Sequence, residues 1–237
     1  MPLPSIKHPV FKLVLPSTQK TISYRPYTVQ EEKLLLIVRL SDTIDEIIDT
    51  IKQIIKNCVL DDIDVDSLAM FDIEYIFLNI RKVSVSNVIE LNYNEDNVRI
   101  PFEVDLDQVK VKFDAAHTNT IKVDESIGMQ MRYPNVSEIL KLEDLIEKDE
   151  AESKIDDYIF DIFLQCVDKV YDSDAVYTDF TKEEMNDFVA NLPSSMMKQI
   201  KSFFETMPVL EHVVDIKMPD GTTRPVKLKG LKDFFIF

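Results

Sequence analysis

Six isoleucines, at positions 44, 47, 48, 51, 54 and 55, constrain this chain most. They fall at i, i+3, i+4, i+7, i+10 and i+11, one stripe of an α-helix, with Asp45, Glu46, Asp49, Lys52 and Lys56 off the stripe. A helix of this kind holds its shape by burying the stripe, so the rest of the chain has to supply a core around it. The next periodic run, SLAMFDIEYIFLNIRK from Ser67 to Lys82, carries two stripes. Leu68, Phe71, Tyr75 and Leu78 form one, and Ile73, Phe77 and Ile80 form the other. A helix apolar on two sides is central to a core or shared with a partner.

The segment ahead of the isoleucines reads as a hairpin. Phe11, Leu13 and Leu15 alternate along VFKLVL, Pro16-Ser17-Thr18-Gln19 turns the chain, and Thr21 to Tyr27 returns. Thr28-Val29-Gln30-Glu31 then fits a capping box: the Thr28 hydroxyl would accept the Glu31 amide, and the Glu31 carboxylate would accept the Thr28 amide. A helix is expected from Val29 to about Leu40, apolar all round between Leu34 and Val38. Pro26 fixes its own φ and biases Arg25 to extended geometry, so Tyr24-Arg25-Pro26-Tyr27 is a strand-to-helix junction.

From about residue 86 to 133 the period changes to two. VIELNYNEDNVRIPFEV, VKVKF, TIKV and IGMQMRY alternate and are separated by turn residues, an antiparallel region in which Pro101 marks an edge strand. Helices return after Pro134: Ser137 to Asp149, Glu152 to Tyr171, a run opened by a second capping box at Thr181-Lys182-Glu183-Glu184, and another after Pro193. LEHVVDIKMPDGTTRPVKLKG closes as a hairpin around Asp220-Gly221. Residues 88–109 and 213–234 echo one another, each running strand, polar turn, then Arg and Pro on the return strand. The fold class expected is α+β: an N-terminal β-hairpin, a helical core, and antiparallel β units after each helical half. The expected division is 1–134, with the hairpin, three helices and the antiparallel region, and 135–237, helical with a C-terminal hairpin, unless the whole is one continuous domain.

Composition removes several functions. The net charge of −16 opposes nucleic-acid binding, which needs Lys and Arg against phosphates. That charge is uneven. Residues 1–40 hold six Lys/Arg and two Glu (+4), residues 138–187 hold five Lys and seventeen acids (−12), and residues 217–233 hold five basic and two acidic residues (+3). Solvated helix faces account for much of the acid, and docking to a charged partner is the functional reading. Three glycines leave no room for a dinucleotide fingerprint, a P-loop or a G-x-S-x-G elbow. The longest apolar stretch, Leu34 to Val38, is far short of the roughly 20 residues of a membrane span, and MPLPSIKHPVF lacks the apolar core of a secretory signal, so a cytoplasmic protein is expected.

Sites for chemistry are tested one by one. Asp62, Asp64 and Asp66 imitate a calcium loop, but Ser67 stands where the turn needs Gly and Ile73 where a bidentate Glu is needed. Cys58 and Cys166 are flanked by apolar residues at helical spacing and read as small buried hydrophobes. His8, His117 and His212 follow no nucleophile or metal spacing. The expectation is no enzyme, no catalytic residue, no metal and no cofactor. The terminal Phe234-Phe235-Ile236-Phe237 must dock somewhere, in a core or on a partner.

The stretch PSIKHPVFKLVLPSTQKTISYRPYTVQEEKLLL carries a likeness in Lys7-His8-Pro9, in the Leu15-Pro16-Ser17 turn, and in aromatic-Arg25-Pro26-aromatic followed by Glu31-Glu32-Lys33-Leu34-Leu35. FDIEYIFLNIR (71–81) and VKLKGLKDFF (226–235) extend it. In these features the chain resembles the baseplate hub assembly proteins of T4-type myoviruses. The resemblance implies a non-enzymatic assembly factor or chaperone that meets other phage baseplate hub proteins, with self-association also open, in the host cytoplasm or in the virion tail baseplate. A stable structural subunit of the virion baseplate is the first alternative, and a small metal-dependent hydrolase is a distant second. Tyr24, Arg25, Tyr27, Phe234, Phe235 and Phe237 are the expected partner-binding residues. For Arg25 the competing reading is an anchor whose guanidinium is tied to a carboxylate or to backbone carbonyls.

Overall fold

A computed structural model describes residues 4, 6–38, 43–95, 98–148 and 152–235. It is α+β, and it divides into two compact units: residues 1–112 with 209–237, and residues 113–208. The boundary therefore does not lie at 134/135. The reason is a strand pairing: Val209–Lys217 (β10) runs antiparallel to Lys110–Lys112 (β5), with Val209 opposite Lys112, and so returns the chain end to the first unit.

In the first unit the N-terminal hairpin forms as its alternation predicts. Phe11–Val14 (β1) pairs with Thr21–Tyr24 (β2), Leu13 opposite Ile22, and both of these side chains are buried. Val29–Val38 (α1) follows, then the isoleucine helix Ile44–Cys58 (α2). Ile48, Ile51, Ile54 and Ile55 are all buried. Burying each contributes about 1.5–3 kcal/mol, so the stripe is a main source of the unit's cohesion. A single 3₁₀ turn, Val65–Ser67, precedes Met70–Ser84 (α3), which therefore starts three residues later than the periodicity suggests. Both stripes of α3 are covered: Phe71, Ile73, Ile76, Phe77, Leu78 and Ile80 are buried, so this helix is central. Its Asp72 is buried too, and accepts hydrogen bonds from the backbone N–H and hydroxyl of Ser17, tying the β1–β2 turn to the helix.

The two echoing segments become Val88–Glu95 (β3) with Val98–Asp105 (β4), and β10 with Thr223–Lys229 (β11). They do not close separate halves. Both hairpins lie in the first unit, and their apolar residues join in one cluster of Ile100, Ile216 and Met218 with Tyr93, Phe102 and Val226. β4 has β3 as its one ladder partner, so Pro101 sits on an edge, as its missing N–H requires.

The second unit is a four-stranded antiparallel sheet. Its order is Thr120–Lys122 (β6), Gly128–Met131 (β7), Val167–Tyr171 (β8), Val176–Tyr177 (β9). Among the described residues, four helices accompany it: Val136–Glu147 (α4), Glu152–Cys166 (α5), Lys182–Ala190 (α6) and Met196–Glu205 (α7). Helical periodicity from Glu152 to Tyr171 predicts one helix, yet the helix ends at Cys166. Val167 and Val170 stand at a helical i, i+3 spacing, but a register shift opposite Gln130 and Met131 passes over Asp168 and lets both be buried in a strand, and pairing with β7 gives their backbone a ladder. Ile121, Met129, Ile162, Phe163, Val189, Ile200 and Phe203 form the core.

The last described element is Gly230–Phe235 (α8). Gly230 has φ +66°, and a Cβ there would lie 2.7 Å from Glu74 Oε1, which accepts the Leu231 N–H at 3.1 Å. Gly221, in the β10–β11 turn, has φ +84° with open space around it. Gly230→Ala is expected to cost more than Gly221→Ala in urea unfolding, roughly 2 kcal/mol or more against about 1, because one meets strain and a carboxylate while the other meets strain alone. Equal costs would show that Glu74 yields without penalty.

Candidate functional site

The junction at Arg25 is a closed network. Its backbone N–H donates to Cys58 O at 3.0 Å, which fastens the end of β2 to the end of α2. The guanidinium donates through Nη1 to Pro26 O at 2.9 Å, and through Nη2 to Glu31 Oε1 and Asn57 O, both at 3.0 Å. Glu31 also accepts from the Thr28 N–H at 2.7 Å and the Thr28 hydroxyl at 2.6 Å. Half of the expected capping box is therefore present. Glu31 reaches back as predicted, but the Thr28 hydroxyl turns to the carboxylate and takes the Gln30 N–H at 3.3 Å in place of the Glu31 amide. Arg25 attracts the carboxylate it needs, and the box bends to serve the ion pair.

Exposure settles which way Arg25 faces. The Arg25 and Glu31 side chains are 20% and 4% exposed. Burial pushes the Glu31 carboxyl up, but the hydrogen bonds from Arg25 and Thr28 outweigh it and bring it down to about 2. The hydrogen bond to Glu31 in turn holds Arg25 above its ordinary value. Arg25 is thus an anchor. Tyr24 is buried against Phe11, and burial raises its hydroxyl. Tyr27 is half-buried, and its N–H donates to Ser84 Oγ at 2.9 Å. Phe234 is buried, a core residue of α8. The Phe235 side chain and Phe237 lie outside the described residues. Among the described residues, Tyr24 and Phe234 are buried and Arg25 and Tyr27 are tied into the junction, so these four do not form one exposed cluster.

Sequence reasoning missed that the same device occurs twice. In the second unit the Arg132 N–H donates to Cys166 O at 2.8 Å. Its guanidinium donates to Tyr133 O at 3.0 Å and to Glu138 Oε1 and Oε2 at 2.9 and 3.2 Å. Glu138 Oε2 accepts the Asn135 N–H at 2.7 Å, and Asn135 Oδ1 accepts the Glu138 N–H at 3.1 Å. Both copies run hairpin, Arg, helix, then a helix ending in a buried cysteine. The signal was legible as R-x-x-(T/N)-V-x-E at Arg25–Glu31 and Arg132–Glu138, with Cys58 and Cys166 at 33 and 34 residues beyond the arginines. Burial pushes the two thiols up to about 11 and about 12, so both stay protonated as packing groups.

The copies part after the cysteine. In the second unit the chain continues as β8 along β7. In the first, Val59 bridges Tyr24, the Leu60 N–H donates to Ser23 O at 2.9 Å, and the Asp61 carboxylate then takes the Ser23 N–H. A side chain stops the ladder where a strand would otherwise run on, which blunts the edge.

Among the remaining candidates, Asp66 and His117 are also engaged. Asp66, from the calcium-like run, pairs with Lys52 at 2.5 Å and Lys56 at 2.6 Å, and Asp64 accepts the Asp66 N–H. His117 bonds Thr206 Oγ1 at 3.0 Å and the Tyr133 hydroxyl at 3.1 Å, and burial lowers its pKa. Among the described residues, no group of three His, Cys, Asp or Glu is placed to hold a metal ion, and no helix is long and apolar enough to cross a membrane. What the clamp leaves free is a surface. With Glu31 and Val38 drawn inward, the opposite side of α1 presents Val29, Leu36 and Ile37, which are 66%, 58% and 70% exposed.

A family model described as T4 bacteriophage base plate protein matches residues 8–236, a span that takes in both arginine–glutamate junctions and both C-terminal strands. No curated protein and no solved structure matches the chain.

Because the folded-state value of Glu31 is depressed, its contribution to stability is full above the ordinary carboxylate range near 4.5 and is lost as pH falls towards about 2. Urea unfolding between these limits should show a loss of about 2–3 kcal/mol that Glu31→Gln removes from the pH dependence. An unchanged acid limb in that variant would mean that the pair is not formed. Arg132→Ala should cost about 2–4 kcal/mol by leaving Glu138 without its partner.

Proposed function

The chain belongs to the T4 bacteriophage base plate protein family, and from that premise we propose that it is a non-enzymatic assembly factor for the baseplate hub, working through protein–protein contacts in the host cytoplasm. The observation that carries this reading is the outward stripe of α1. Three large apolar side chains at i, i+7 and i+8 stand exposed on a helix whose roll is fixed from behind by Arg25 and Glu31. A surface of this kind stabilises nothing in the isolated chain and is suited to covering by another protein. Arg25 with Glu31 and Arg132 with Glu138 are ion pairs that hold the two junctions, which fits a role through protein contacts.

Arg25 then acts at one remove: it turns α1 so that Val29, Leu36 and Ile37 face out, rather than touching the partner itself. A stable place in the finished baseplate would use the same stripe, and the two roles differ in whether the contact is released.

Co-expression with the phage's other hub proteins, followed by pull-down, is the test. The wild-type chain should bring down at least one of them, and Leu36→Glu with Ile37→Glu should lower the yield at least about tenfold with the far-UV spectrum unchanged. Retained capture by the folded double variant would remove α1 as the contact. Mass spectrometry of purified particles separates the two roles: absence or trace amounts support an assembly factor, and a fixed stoichiometry supports a structural subunit.

A further inference from the structure

In a chain of net charge −16, one sheet face is basic. On the outer side of β5–β10–β11 lie Lys110, Lys112, Lys217, Lys227 and Lys229, against Glu211 and Asp215, giving +3. The strand registers place these residues on one side. Lys110 and Lys229 flank Glu211, and Lys227 stands opposite Val213, while Leu210, Ile216 and Leu228 point to the core. Glu211 is consumed locally by Lys112 at 2.9 Å and Lys227 at 2.5 Å. Lys110, Lys217 and Lys229 keep their charge exposed around Val213, which is 46% exposed at the centre of the face.

A surface of opposite character lies in the second unit. Residues 172–187 carry six acids and one lysine, giving −5. They include β9, the last strand of its sheet among the described residues, whose Val176 and Tyr177 are 62% and 48% exposed, and the start of α6. Asp172 is folded into the turn before β9, accepting the Asp174 and Ala175 N–H groups at 2.8 Å and the Tyr177 hydroxyl at 2.9 Å. This ties the Tyr177 hydroxyl to the turn. Asp174, Asp179, Glu183 and Asp187 are exposed.

We propose that the lysine face of β5–β10–β11 docks the acidic β9–α6 surface of a second copy of this chain. Each surface joins exposed apolar side chains to exposed charge, and the two charges are opposite in sign. A single such contact leaves each of the two copies with one surface unused. The face is small: seven residues of β11 by three strands span about 23 Å by 14 Å, roughly 300 Å² against the ~800 Å² per partner of a stable complex. Net charge adds long-range repulsion between copies. The contact is accordingly weak, and is held by pairs lying within a Debye length of each other. The proposal is independent of the α1 stripe.

Sedimentation velocity of the full chain reads it. At about 0.15 M salt the weight-average sedimentation coefficient should climb by roughly a third or more between about 20 and 400 µM protein, and in about 1 M salt it should stay flat. Two variants, Lys217→Glu with Lys229→Glu and Asp179→Lys with Asp187→Lys, alter exposed side chains only, and each alone should stay monomeric. Mixed in equal amounts they should associate again, because the intact acidic surface of the first variant meets the intact lysine face of the second. A wild-type chain that stays monomeric at the highest concentration overturns the proposal, as does association that either variant leaves intact or that the mixture fails to restore.

Discussion

The pairing of Arg25 with Glu31 holds the first unit's geometry in place. One guanidinium reaches the carboxylate of α1, the last turn of α2 at Asn57 O, and the carbonyl that follows it at Pro26. Strand end, helix start and helix end are thereby fixed to a single planar group. Five N–H donors in a rigid fork make this a task for arginine; a lysine ammonium would satisfy the charge without the fork's geometry. The cost of drawing the pair out of water is offset because the carboxylate's acceptor sites and most of the guanidinium donors are filled. From that follows the roll of α1, and with it the exposure of Leu36 and Ile37.

The recurrence of the device at Arg132 and Glu138 shows that it works without the surrounding residues. Pro26-Tyr27-Thr28 becomes Tyr133-Pro134-Asn135, yet each arginine still bonds the carbonyl next to it and the glutamate six residues on. The cysteines belong to it as small side chains that let the guanidinium region and the helix end approach closely, and burial keeps them as thiols. What varies is the continuation: β8 in one unit and the Asp61 stop in the other.

Much of this was legible in the sequence where one local rule acted alone. The isoleucine stripe of α2, the Asp220-Gly221 hairpin, the N-terminal hairpin and the Thr181–Glu184 box, which closes in both directions, all formed as their residues dictate. Long-range pairing decided the rest. β10 joining β5 moved the unit boundary, and the edge of β7 turned the end of a helical pattern into β8. At the site, Tyr24-Arg25-Pro26-Tyr27 reads correctly as a junction, but a string of residues does not say whether its arginine looks in or out. That depended on Asn57 and Cys58, more than 30 residues away. The second clamp was visible in spacing and escaped notice because its proline and tyrosine are transposed.

A double-mutant cycle between Arg25 and Glu31, followed by urea unfolding at neutral pH, tests the anchoring role most directly. Each single alanine variant should lose about 2–4 kcal/mol, and the double variant little more than either, a coupling of roughly 2 kcal/mol. Single variants of near-wild-type stability with additive effects would contradict it, and would return Arg25 to the surface as a contact for a partner.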